Sequence, residues 1–456
     1  MSTHYGLSGS LNGGNGSVKQ SLENQLNREQ NSLFPNLRLS ENTVLEATSP
    51  EVSDLVCFSH LRWDFVYQRP QHLLSRCAQS RRVFIIEEPM ASPDGSAWLD
   101  VSKREGNVRI VVPYLPEGLD EEQHITLQRR LLDDLFAAAH IHAPILWYYT
   151  PMAVGFTRHL QASAVVYDCM DELSAFKGAP PALQEREAHL FKLADLVFTG
   201  GHSLYEAKQH QHPSVHAFPS SIDATHFAQA REGIEDPADQ AAIPHPRMGF
   251  YGVIDERMDL ALLDSIAQAR PDWHFVIIGP VVKIDPETLP KHSNIHYLGG
   301  KSYQELPKYL AGWDVALLPF ARNESTRFIS PTKTPEYLAA GKPVVSTSIR
   351  DVVRPYGQQS LVHIADTAPE FVAAIAAALE QTQTTPDWLD RVDTFLAQTS
   401  WDLTWQAMNE LIERAIALKT CNAPNSTPVR QAPASAKPTS SEVKTTIGST
   451  ANANKR

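Results

Sequence analysis

Lys333 and Glu336 stand three residues apart in Ser330-Pro331-Thr332-Lys333-Thr334-Pro335-Glu336-Tyr337-Leu338-Ala339-Ala340-Gly341-Lys342-Pro343-Val344-Val345. The stretch follows the apolar run 315–320 and a polar loop, and it ends in β-branched residues, so it reads as strand, loop, short helix, strand. A loop entering a helix N-terminus presents backbone N–H groups and the positive end of the helix dipole, which favour anions. On a helix, residues three apart share a face, so this ammonium and carboxylate suit a ligand bearing both phosphates and hydroxyls. The same spacing fits an i,i+3 ion pair on a surface helix, and spacing alone leaves both readings open.

The pattern Pro331-x-Lys333-x-x-Glu336-Tyr337-x-Ala339-x-Gly341-x-Pro343-Val344-Val345 resembles the donor-site signature of GT-B glycosyltransferases of the family 4 type, in the branch that includes teichuronic-acid-type transferases. Residues 63–73, with Gln68-Arg69-Pro70-Gln71-His72-Leu73, resemble the same branch, and the resemblance runs from about residue 53 to 415. It implies that Glu336 binds the ribose hydroxyls of a nucleotide-sugar and that Lys333 lies near its diphosphate. A UDP-sugar is the favoured donor substrate, with no separate cofactor. Many of these enzymes carry a second Glu eight residues before the ribose-binding one, contacting the donor sugar. Here that position is Phe328, with Glu324 four residues further upstream.

Such a transferase must neutralise the charge that builds on the departing nucleotide diphosphate, which cations and backbone N–H groups can do without a metal. Lys333 is the first candidate. Arg257 is the second, because the family commonly has a basic residue in the loop after this domain's first strand, here Gly252-Val253-Ile254-Asp255. A solvated surface role fits Arg257 equally well. Arg327 and Arg322 flank the central loop and are further phosphate candidates. Gly252 would let backbone approach a phosphate closely, and Gly279 is similarly placed at another strand end. Neither completes a GxGxxG fingerprint, so a dinucleotide cofactor has little support.

Upstream, His60, Arg62, Trp63, Gln68 and Arg69 cluster around a first strand–loop–helix unit, with Pro70 at the helix start. Imidazole, guanidinium and indole groups suit a sugar acceptor, since rings stack on pyranose faces while charges bond hydroxyls or phosphate. Arg62, Trp63 and Arg69 are the acceptor-binding candidates; a cap-and-staple entry to the helix is the alternative. Tyr167-Asp168-Cys169-Met170-Asp171-Glu172 lies at another strand end. A carboxylate there could take the acceptor hydroxyl's proton in an inverting reaction, which makes Asp168, with His60, the catalytic candidates. In the competing view Asp171 caps the next segment and Asp168 bonds loop backbone. No His/Glu spacing marks a metal site, so none is expected.

The elements that would position these residues form two series. Continuous apolar strands near 55–58, 83–87, 108–112, 145–149, 164–168 and 196–199 alternate with helices, which indicates a parallel sheet covered on both faces. The alternation restarts at 248 and runs through 273–279, 295–299 and 315–320 to the opening motif. The expected fold class is therefore α/β with two tandem Rossmann-like doubly wound domains (GT-B) around a cleft. Residues 51–240 form the acceptor-side domain and 245–400 the nucleotide-sugar domain. Residues 401–420 form a terminal helix, which the resemblance places back on the first domain. Low apolar content makes 1–50 and 421–456 disordered tails.

With 42% hydrophobic residues the chain can bury two substantial cores, and its net charge of −12 argues against a nucleic-acid partner. Four scattered cysteines without a CxxC imply neither zinc nor a disulfide framework and fit a reducing cytoplasm. The Gly-, Ser- and Asn-rich N-terminus leads us to expect no signal peptide, and no apolar run reaches about eighteen residues. No basic amphipathic helix is apparent, so membrane contact would be weak and peripheral, on the inner face. The expected function is transfer of a sugar from a nucleotide-diphosphate donor to a glycan, lipid-linked or similar acceptor in envelope or exopolysaccharide synthesis. The alternatives are a non-catalytic nucleotide-sugar-binding subunit and a nucleotide-sugar epimerase. The first would bind without transfer, and the second would convert donor without an acceptor.

Overall fold

The computed structural model describes residues 33–40, 43, 45 and 52–422. Short apolar runs without alternation form the inner strands, and each is buried along its whole length: Leu55–Phe58 (β2), Val83–Ile86 (β3), Ile145–Tyr148 (β7) and Leu196–Thr199 (β9). That pattern requires cover on both faces. With Val108–Leu115 (β6), Ala164–Cys169 (β8) and Val215–Ala217 (β10) they pair in parallel in the order β6-β3-β2-β7-β8-β9-β10. Trp98–Lys103 (β5) adds to β6 antiparallel, and Met90–Ala91 (β4) pairs with β6 off this path.

Two sequence expectations change here. The described part of 1–50 includes Leu37–Leu39 (β1), which pairs in parallel with β5 and buries Leu37, while Leu45 and Thr43 are also buried. Low overall apolar content masked these few well-placed side chains; the remaining residues of both expected tails, apart from 421–422, lie outside the described residues. The boundary near 240 also moves. Ile222, Phe227, Ala230 and Ile243 pack in the second domain's core, so the first domain ends before them. The charged 229–246 stretch is fastened to that core through the buried Gln240, whose side chain accepts from Trp313 Nε1 (2.9 Å) and donates to the Tyr309 carbonyl (3.0 Å).

The second sheet is wholly parallel. Arg247–Tyr251 (β11), His274–Ile278 (β12), Ile295–Tyr297 (β13), Val315–Leu318 (β14), Val344–Ser346 (β15) and His363–Ile364 (β16) lie in the order β13-β12-β11-β14-β15-β16. Order reverses at β11, and ligands of such sheets lodge at the carboxyl ends of the strands beside the reversal.

The chain crosses between domains near 218–222 and again near 397–401. The crossings touch: Trp401 N donates to the Ile222 carbonyl at 3.2 Å, and the Ser221 and Thr399 hydroxyls are 3.2 Å apart. The second crossing leads into the helix Trp401–Asn422, whose Trp401, Met408 and Ile412 are buried in a first-domain core with Leu73 and Trp147. Trp401 stacks on His72 at 4.5 Å, and Arg81 binds Glu413 at 2.8 Å. Truncating Trp401 to Ala removes a ring that is 1% exposed. By the usual cost of a large core cavity it should lower stability by about 3–5 kcal/mol, read as a reduced urea midpoint at unchanged slope.

Candidate active site

The site is built on a close approach. β11 ends at Tyr251, and Gly252 follows with φ 143°. A Cβ at Gly252 would stand 2.2 Å from Lys333 Cε, so the lysine stem lies across a surface that glycine alone leaves free. One strand over, Gly279 has φ 146°, and a Cβ there would stand 1.8 Å from the Gly252 carbonyl oxygen. These glycines pack the ends of β11 and β12 together under the Lys333 side chain. Lys333 opens the helix Lys333–Ala339. Seven residues supply little dipole, so attraction for an anion falls mainly to the ammonium itself.

Glu336 sits one turn on, 6% exposed, and its Oε2 accepts a hydrogen bond from the Tyr251 hydroxyl. Tyr251 is fixed in turn, its backbone N–H donating to the Tyr337 hydroxyl at 3.0 Å. Burial raises Glu336 to about 7, against the opposing Tyr251 bond and Lys333 charge. Burial lowers Lys333 to about 8, helped by Arg257 and opposed by Glu336. A tight ion pair would drive the two values the other way, so desolvation outweighs their mutual attraction. Both groups thus stand near their switching points, Lys333 short of an anion and Glu336 of hydrogen-bond donors that a ligand can supply.

Lys333, Glu336, Gly252 and Arg257 line one cleft of about 700 Å3 between the domains, with Trp63 and Tyr67 from the opposite side. The Tyr67 and Tyr303 rings stack across it at 4.6 Å, and His226 backs Tyr303 at 4.3 Å. Arg257 is oriented by Asp255 through Nε (3.0 Å) and Nη2 (2.7 Å). Arg257 and Lys283 each lie 5.7 Å from the Phe176 ring, which comes from the first domain. Behind the cleft, Asp171 faces Arg257 and Lys333 around a smaller cavity. Burial raises Asp171 to about 6 despite the attraction of Arg257, Arg69 and Lys333.

The other sequence candidates fall differently. Asp168 is fully buried, its two oxygens bound by Arg69 through Nε (3.0 Å) and Nη2 (2.8 Å). Arg69 is 3% exposed and also donates to the Phe218 carbonyl at 2.7 Å. Both Asp168 oxygens and the Arg69 fork are engaged in this buried bidentate pair, and neither residue lines the main cleft, so Asp168 as base and Arg69 as acceptor ligand are corrected to a structural tie. Arg62 binds Glu87 at 2.9 Å and is missing from the cleft lining, which Trp63 joins. His60 stands at the end of β2 with Nδ1 buried and unpaired, and burial, with Lys283 facing it, lowers it to about 4. A neutral ring remains a candidate for orienting a hydroxyl. Arg327 is 62% exposed and pairs with Glu324 at 3.4 Å on the surface, outside the cleft. Its placement as a donor ligand is corrected accordingly, and Glu324 faces away as well. Phe328, with the Arg327 guanidinium 5.2 Å from its ring, packs onto the first domain's core, so an apolar side chain fills the position where the resemblance leads one to expect an acid.

Sequence reading missed Tyr251, Tyr67, Tyr303, Phe176 and Lys283. Tyr251 had a signal, since it directly precedes the close-approach Gly252; the others are joined only by the facing of two domains. If Gly252 serves by seating Lys333, then Gly252→Ala and Lys333→Ala should each weaken nucleoside-diphosphate binding about tenfold. That is roughly 1.4 kcal/mol. The double variant should lose little more than either, a non-additivity that a calorimetric double-mutant cycle would read.

Residues 245–381 match the family described as Glycosyl transferases group 1. Over 280 residues, 55% of this chain and 68% of the relative, the sequence is 25% identical to TuaH of Bacillus subtilis (strain 168), a glycosyltransferase assigned to teichuronic acid biosynthesis. Sucrose-phosphate synthase from Thermosynechococcus elongatus superimposes with a TM-score of 0.59 at 13% identity, covering 80% of this chain and 100% of that one. The E. coli trehalose-6-phosphate protein bound with UDP-2-fluoro glucose gives 0.60 at 12% identity, covering 79% and 99%. The catalytic domain of starch synthase IV from Arabidopsis thaliana, bound to ADP and acarbose, gives 0.56 at 11%, covering 80% and 99%. With the group 1 match at residues 245–381 and the two-domain fold shared through both halves, the chain is a glycosyltransferase of GT-B fold whose second domain is similar to the glycosyl transferases group 1 family.

Proposed function

We propose that the protein transfers a sugar from a nucleoside-diphosphate donor, with a UDP-sugar favoured, to a glycan or lipid-linked acceptor in envelope polysaccharide assembly at the cytoplasmic face of the membrane. The observation that carries this reading is the cleft holding Lys333, Glu336, Arg257 and Gly252 together. Lys333 and Arg257 take the diphosphate and stabilise it as it departs, without a metal. Among the described residues no cluster of His, Cys, Asp or Glu is suited to a metal ion. Glu336, oriented by Tyr251, receives the ribose hydroxyls, and the Tyr67–Tyr303 stack walls the cleft beside the nucleoside, with the outer face of Tyr67 available to it. Among the described residues no helix is long and apolar enough to cross a membrane.

Phe328 favours one alternative, a non-catalytic nucleotide-sugar-binding subunit, because the acid that contacts donor sugar in many relatives is replaced. Donor turnover with and without acceptor separates it, and an epimerase, from a transferase. A thermal-shift panel of UDP, GDP, ADP, CMP and dTDP tests the site. One diphosphate at about a hundred times its dissociation constant should stabilise the wild type by roughly 2.7 kcal/mol. The Lys333→Ala/Glu336→Ala variant should stay flat, and a wild type that responds to no nucleotide refutes the donor site.

The site also predicts a pH dependence. As pH falls from 9 to 6, Lys333 gains its proton near 8, Glu336 near 7 and Asp171 near 6, and each step makes the cleft more positive. Affinity for a nucleotide-sugar, whose diester diphosphate keeps its charge over this range, should therefore rise toward acid. In Asp171→Asn the rise near pH 6 should vanish while the step near pH 8 remains, measured by calorimetric titration across the range.

A further inference from the structure

The first domain holds a second crevice, about 670 Å3, at the carboxyl ends of β2, β3 and β7. Strand order reverses at β2, with β3 on one side and β7 on the other, and a crevice at such a reversal is where open α/β sheets lodge ligands. Its size falls within the roughly 300–1,000 Å3 of small-molecule sites. Phe58 and Phe156, edge to face at 5.9 Å, form its floor with Ile86, Ile125 and Met152. Nothing in the nucleotide cleft uses these side chains.

The charges on its wall narrow the ligand. Glu87 is spent on Arg62 (2.9 Å) and the Trp63 backbone N–H (2.7 Å). Arg186, the one Lys or Arg in the lining, is held by Glu121 and the Met152 carbonyl (3.0 Å). Glu88 makes no hydrogen bond among the described residues and stands at the mouth, where Arg62 and Lys283 act on it. His124, Thr150 and Gln128 add polar atoms. An anionic ligand would meet three carboxylates, Glu87, Glu88 and Glu121, and no unpaired guanidinium or ammonium, whereas hydroxyls could bond Glu88, Thr150 and Gln128.

The crevice also adjoins the nucleotide cleft. The loop after β2 lines the crevice at Ser59 and the cleft at Trp63, and Glu87 ties its far end down. Building on the transferase reading above, we propose that this crevice receives the apolar body of an uncharged, hydroxyl-bearing acceptor, an alkyl-glycoside-like molecule whose hydroxyl end points past Glu88 toward the donor.

Octyl glucoside below its critical micelle concentration is the probe, titrated calorimetrically against octyl sulfate and glucose. The wild type should bind octyl glucoside at least ten times more tightly than either. Ile125→Arg, which places a charge in the floor from a half-buried helix position, should weaken glucoside binding at least tenfold. If that variant does not melt cooperatively, Ile125→Trp fills the same space without charge and should give the same loss. Equal glucoside affinity in wild type and variant, or sulfate binding as tightly as glucoside, overturns the proposal. The nucleotide-dependent thermal shift is recorded on the same samples: if it persists while the glucoside result fails, the crevice assignment falls alone. If the shift is absent and the glucoside result holds, the donor reading falls and the crevice stands as a binding site.

Discussion

The arrangement depends on the desolvation of one lysine and one glutamate beside a backbone with no side chain in the way. Lys333 reaches the cleft because Gly252 lets its stem lie flat across the end of β11. Glu336 keeps its position because Tyr251, the residue before that glycine, donates to it. Strand end, glycine and helix start therefore act as one unit. Burial keeps both ionisable groups from settling into a closed pair, so the free energy withheld from their mutual attraction remains for a ligand that satisfies both.

The facing domain contributes rigidity more than reactive groups. The Arg69–Asp168 tie joins the first helix to the end of β8 and reaches on to the Phe218 carbonyl, just before the chain leaves the domain. A buried, bidentate pair of this kind is costly to break because either partner alone would remain an uncompensated charge. It fixes the loops that present Trp63, Tyr67 and Asp171. Phe176, approached by two cations of the other domain, and Phe328, approaching from the reverse direction, are reciprocal contacts across the cleft.

Much of this was legible in the sequence because inner parallel strands announce themselves: Leu55–Phe58 and Val315–Leu318 are apolar throughout and have no other stable environment. That Lys333, Glu336 and Gly252 come together in one cleft was legible because one local motif and one strand end carry them. Asp168 and Arg69 were misassigned because residue type says nothing of partner, and 99 positions separate two side chains that meet in a bidentate pair. Arg327 was misplaced because proximity to the motif in sequence did not survive the turn at 323–326, where Asn323 and Thr326 close a loop and leave the arginine outside. The β1–β5 edge escaped notice because a three-residue strand has too few side chains for a period.

The two crossings near 220 and 400, pinned side by side by Trp401 N and the Ser221–Thr399 hydroxyl contact, make a double-stranded pivot. A single connecting strand lets two bodies swivel and twist freely, whereas two strands bound together resist torsion and yield chiefly by bending. Such a pivot favours a jaw-like opening about one axis over a twist. The two domains then return to the same registration each time, which matters wherever reacting atoms carried by two bodies must meet within a fraction of an ångström.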